Sequence, residues 1–93
     1  MALEWDHAKS EANRKARGFG FEVANDFDWD FALGPEIQYV DGEEREFWIG
    51  PIGNDLYALV ITERVDATRV ISLRTVTKLE YREWRKRMNN ETN

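Results

Sequence analysis

The chain has 93 residues, the size of one small domain, and 42% of them are hydrophobic, including four Trp, three Tyr and five Phe: enough for a single core and too apolar for bulk disorder. With no cysteine there is no disulfide and no thiolate metal site, and a single His makes zinc chemistry a poor fit. The net charge of −5 is uneven, because residues 1 to 44 hold eleven acids and four bases while residues 45 to 93 hold seven acids and nine bases, so the C-terminal half can still meet a phosphate backbone. There is no run of about 18 apolar residues and no signal-peptide pattern before Trp5-Asp6, which predicts a cytoplasmic protein without membrane contact.

Asp6 followed by a helix-friendly run to Arg17 and then Gly18 predicts an N-capped helix closed by a C′ glycine. Arg14, Lys15 and Arg17 fall in its last turn, where the helix dipole favours cations. Ala8, Ala12 and Ala16 recur at a spacing of four and predict a narrow face packed on a sheet. Phe21 to Phe27 predicts a second, two-turn helix with Phe21, Ala24 and Phe27 inward, ended by Asp28-Trp29-Asp30. From Phe31 to Val40 the chain reads as extended, and Pro35, which cannot donate to a ladder, makes this an edge strand or a bulge.

Asp41-Gly42 is a hairpin turn into a strand from Glu43 to Gly50. A turn over Pro51 to Asp55 leads to the near-continuous apolar strand Leu56 to Thr62, and a further hairpin around Arg64 to Ala67 leads to Thr68 to Thr75. On a regular strand Val70, Ser72 and Arg74 share one side, and Arg69, Ile71 and Leu73 the other. Thr77 and Glu80 have capping-box spacing at the start of a last helix running to about Met88. Tyr81, Trp84 and Met88 are expected to face the sheet, Lys78, Arg82 and Arg85 form a basic stripe, and residues 89 to 93 are expected to fray. The whole chain therefore reads as one α+β domain: two N-terminal helices, a four-stranded antiparallel meander and a C-terminal helix.

The chemistry concentrates between Thr62 and Glu80. Arg64, Arg69 and Arg74, with Arg45 from an earlier strand, carry planar donor forks that match phosphate oxygens. The plainer alternative is that they pair with Glu43, Glu44, Glu46, Glu63 and Asp66 across the sheet. Glu63 and Glu80 are candidate proton acceptors, although Glu80 also has its place in the capping box and as a partner for Arg74. Ser72 has no histidine partner for a nucleophile role and is kept as a substrate contact with Arg45, Lys78 and Arg82; no metal ligand set is predicted.

In order and spacing, these residues resemble the BrnT family of small toxins from type II toxin-antitoxin systems, across nearly the whole chain. Trp5-Asp6, Lys9, Asn13, Gly18 and Phe21 resemble the family opening; Gly42-Glu43-Glu44-Arg45 and Ile49-Gly50 its second strand; Thr62-Glu63-Arg64 with Arg69, Ile71, Ser72, Arg74 and Glu80 its C-terminal motif. The resemblance implies a RelE-like fold and cofactor-free, metal-independent cleavage of RNA that inhibits translation. Arg64, Arg69, Arg74, Glu63 and Glu80 would be catalytic, and Arg45, Lys78, Arg82 and Ser72 substrate-binding. It also implies a BrnA-like ribbon-helix-helix antitoxin as hetero-oligomeric partner, through which alone operator DNA would be met. The chain departs from the family at Ala16-Arg17, where Lys-His is usual, at His7 in place of a proline, and at Trp84 in place of a tyrosine. A module of this fold that only holds the antitoxin, or a nucleic-acid binder without toxicity, are the competing readings.

Overall fold

The computed structural model describes residues 2–92, with the backbone alone for 91 and 92. The architecture is α+β, but the sheet has five strands and is mixed, where four antiparallel strands are predicted. The additional strand, β1, spans Leu3–Glu4 and pairs in parallel with the last strand, Leu3 opposite Thr68 and Glu4 opposite Arg69, with the Thr68 amide donating to the Ala2 carbonyl at 3.0 Å. Two residues are too few to show a period of two, so this strand has no signal of its own.

Helix α1 spans His7–Arg17 and is bounded as its caps dictate. The Asp6 carboxylate accepts the Lys9 amide at 3.0 Å, and Gly18, at φ 91°, takes the left-handed turn that ends the helix. Its packed side is not the alanine stripe: Ala8, Ala12 and Ala16 are exposed, whereas Ser10 and Asn13 are buried. These two polar side chains satisfy the backbone of the segment that follows. Ser10 Oγ accepts the Phe21 amide at 2.8 Å, and Asn13 Nδ2 donates to the Phe19 carbonyl at 3.0 Å.

Phe21–Asp26 is a 3-10 helix rather than the second α-helix predicted, and Trp29–Phe31 is another. The inward residues Phe21, Ala24 and Phe27 are nevertheless those expected, because a spacing of three is one turn of a 3-10 helix. β2 (Leu33–Val40) is the sheet edge and carries a register irregularity between Leu33 and Glu36, around Pro35. It turns through Asp41 and Gly42, at φ 52° and 79°, into β3 (Glu43–Ile52), which outruns its predicted end at Gly50. β4 (Asp55–Glu63) and β5 (Thr68–Thr75) complete the order β1-β5-β4-β3-β2.

One sheet face forms the core. Leu59, Ile61, Val70 and Leu73, all at 1% exposure or less, lie with Phe21, Ala24 and Phe27. Trp29 extends this layer, edge-on to Phe27 at 4.7 Å and to Trp48 at 5.1 Å between ring centroids. Gly50 belongs to it too, since a Cβ there would lie 2.6 Å from Phe27 Cζ. Helix α2 (Lys78–Thr92) covers one end of the opposite face, where Ile49 and Ala58 are buried. Trp84 Nε1 donates to the Phe31 carbonyl at 2.6 Å, and Trp84 and Met88 are half-buried, but Tyr81 is exposed rather than turned to the sheet. The helix continues past Met88 to Thr92, so residues 89 to 92 are helical; Asn93 lies outside the described residues.

Candidate functional site

The part of this second sheet face that α2 leaves open is where the predicted arginines and Ser72 meet. The decisive detail is a bulge. Val60 pairs with Ser72 and Ile61 with Val70, so Ile71 is an extra residue in β5 and the alternation of that strand changes sign there. Val70 and Leu73 consequently both enter the core, and Arg69, Ser72 and Arg74 come to the same side, opposite Thr62, Val60 and Ala58. A regular strand would have separated Arg69 from Arg74.

Across β4 the same face continues on β3 with Phe47 opposite Val60 and Ile49 opposite Ala58, and two residues back from Phe47 it carries Arg45, opposite Gln38. Thr62 is buried between the Arg69 and Arg45 positions and donates to the Glu44 carbonyl at 2.8 Å. Arg64, at the end of β4, reaches Glu43: its Nη2 is 3.8 Å from Glu43 Oε1, which is also 3.8 Å from Arg45 Nε. Neither Glu43 Oε1 nor Arg45 Nε has a hydrogen-bond partner although both atoms are buried. Arg69 stands 3.5 Å from Glu4 of β1.

Arg74 is held differently. It donates from both terminal nitrogens to Glu80, at 2.8 and 2.9 Å, and Glu80 at once completes the capping box: the Thr77 amide donates to Glu80 Oε1 at 2.9 Å and the Glu80 amide to Thr77 Oγ1 at 3.2 Å. The pair joins the end of β5 to the start of α2. The Arg74 hydrogen bonds hold the Glu80 carboxyl at about 2, well under its ordinary 4.5, with the Thr77 amide adding to the effect. A group with a depressed folded pKa stabilises the fold above its unfolded value and loses that contribution as pH falls through the folded one. Glu80→Gln is therefore expected to lower stability by about 2 kcal/mol at pH 7, the scale of a lost charged hydrogen bond with part of a cap. The difference from wild type should shrink between pH 4.5 and 2, as urea unfolding at stepped pH would read.

The remaining predicted residues are scattered. Glu63 pairs with Thr68 on the core side of the sheet and accepts the Thr68 hydroxyl at 3.0 Å, so it faces away from the arginines. Lys78 and Arg82 are exposed on α2. Ser72 lies on the arginine face and also lines a groove of about 330 Å³ between β5 and α1, with Ile71, Lys9, Asn13, Ala16 and Arg17. In that groove Arg17 donates to Asn13 Oδ1 at 2.6 Å. Lys9, Asn13 and Glu4 carry no single-residue signal for a place beside the site, since only the packing of α1 and β1 on β5 brings them there.

A family model described as "Ribonuclease toxin, BrnT, of type II toxin-antitoxin system" matches residues 5–80. The chain belongs to the BrnT family. The matched span starts at Trp5, beside β1, and ends at Glu80, so it takes in α1, the four long strands and every arginine of the open face. No curated protein and no solved structure matches the chain. BrnT membership makes the family activity that of a ribonuclease toxin and implies an antitoxin partner. It also gives the alternation change at Ile71 a context, because Arg69, Ile71, Ser72 and Arg74 all lie inside the matched residues. Among the described residues no helix is long and apolar enough to cross a membrane.

Proposed function

We propose that the open face of the sheet is the active site of a metal-independent endoribonuclease that stops translation by cutting RNA. The observation that carries this reading is the convergence of Arg45, Arg64 and Arg69 on one face, each at 3.5 to 3.8 Å from a carboxylate and none making a side-chain hydrogen bond among the described residues. Their donor forks are available for phosphate oxygens without breaking a hydrogen bond first. In the reaction the RNA 2′-oxygen gives up its proton and attacks the neighbouring phosphorus, the bond to the 5′-oxygen breaks as that oxygen takes a proton from water, and the extra negative charge at phosphorus is met by the guanidinium groups. Arg69 and Arg64 stabilise that charge and Arg45 positions the backbone, with Ser72, Lys78 and Arg82 as outer substrate contacts.

Arg74 and Glu80 form the positioning pair that fixes the end of β5. Glu43, between two of the arginines, is the carboxylate best placed to take the 2′-hydroxyl proton. Glu80 is a weaker base because its pKa lies near 2, and Glu63 faces the other way. The protein acts in the cytoplasm as a hetero-oligomer with a BrnA-like ribbon-helix-helix antitoxin, and reaches operator DNA only through that partner.

Purified protein incubated with RNA in excess chelator should release fragments ending in 2′,3′-cyclic phosphate and 5′-hydroxyl, and induction without antitoxin should arrest growth. Intact RNA and unchanged growth, with the protein folded, would sink the proposal. That outcome would favour the second reading, a weakened module that holds the antitoxin and supports autoregulation. Its specific support is Ala16-Arg17, which line the α1 side of the groove in place of the usual Lys-His and leave Lys9 and Arg17 as its basic groups with no histidine.

A further inference from the structure

We infer that Phe47 is a nucleobase platform, so that the BrnT site takes RNA as a single strand with at least one unstacked base; this rests on the ribonuclease reading above. Phe47 lies on the arginine face, opposite Val60 on β4 and Glu36 on β2, and Val60 in turn lies opposite Ser72. This row separates Arg74 on one side from Arg45 and Arg69 on the other. Phe47 and Val60 are half-buried in the middle of the face, whereas the next row toward α2, Ile49 and Ala58, is fully covered. The Arg74 guanidinium lies over the Phe47 ring, 6.0 Å from its centroid and at the outer limit of a cation–π contact, so a base stacked on that face would have the guanidinium as a neighbour.

An aromatic ring in the centre of an open sheet, with the Arg45 and Arg69 row beside it, has the two components that bind single strands: a stacking surface for the base and donor forks for the neighbouring phosphate. Successive residues on one strand face are about 7 Å apart, close to the spacing of a base from its own phosphate. The charge of the surround selects nucleic acid over an acidic peptide only in combination with the ring, because a peptide needs no stacking surface. Duplex RNA, whose bases are stacked and whose readable groove presents edges, offers Phe47 nothing to cover.

The test measures binding of the full chain to a labelled 2′-O-methyl RNA oligonucleotide, which cannot be cleaved, by fluorescence anisotropy. Phe47→Leu, which keeps an apolar side chain, is expected to weaken single-strand binding about tenfold, and Phe47→Tyr to retain it. The loss should vanish on a strand with abasic positions and on a duplex. Circular dichroism and thermal unfolding establish that the variants are folded. If folded Phe47→Leu binds like wild type, if its loss persists on the abasic strand, or if only antitoxin binding suffers, the inference is overturned. Failure of the ribonuclease reading looks different: wild type then binds the strand with the Phe47 dependence intact but leaves a cleavable RNA whole.

Discussion

Arg69→Ala is expected to reduce RNA cleavage by about a hundredfold while leaving the fold as stable as wild type, within about 0.5 kcal/mol. The rate follows from removing one charge-stabilising donor from a site that supplies its electrostatics through arginines, a loss on the order of 3 kcal/mol in the transition state. The stability follows from the partner: Arg69 meets Glu4 at 3.5 Å with side chains 31% and 44% exposed, and such pairs contribute between zero and about 1 kcal/mol. The combination separates function from structure. Were Arg69 only an ion-paired strand residue, cleavage would not change. Single-turnover cleavage beside urea unfolding of the same preparation reads both quantities. Arg69→Lys should recover only part of the rate, because an ammonium keeps the charge and loses the fork.

Leu59→Ala is expected to destabilise the protein by about 3 kcal/mol, roughly 15 °C in Tm for a domain of this size, as measured by calorimetry. Leu59 is fully buried on the core face, opposite Leu73 and Trp48, and the core there is completed by Phe21, Ala24 and Phe27. Truncation opens a cavity under the 3-10 helix Phe21–Asp26, whose position depends on that burial. The adjacent Val60 points to the open face and is only half-buried, so Val60→Ala should cost distinctly less. Equal losses at the two positions would mean that the two faces are not differentiated as described.

The α+β class, the hairpin at Asp41-Gly42, both caps of α1 and the capping box at Thr77 and Glu80 are all readable from the chain, because each is settled within about four residues by dihedral preference or a local hydrogen bond. The arginine set and its resemblance to BrnT are likewise in the residues, and the family match over 5–80 agrees with that resemblance. The α1 packing face is different. Alanine spacing points to one side of the helix, yet Ser10 and Asn13 are buried because the backbone of Phe19 and Phe21 needs partners there.

What the sequence determined by itself is the supply of guanidinium groups, the apolar strands that must be covered, and the points at which the chain turns. What only the tertiary structure decided is which of those groups share a surface. Inserting Ile71 as a bulge is a matter of register between β5 and β4, and nothing within β5 announces it. The same holds for β1, whose two residues become a strand only because β5 offers them a free edge. Pairing between strands distant in the chain depends on the whole core closing at once, so the arginine face exists only in the folded molecule.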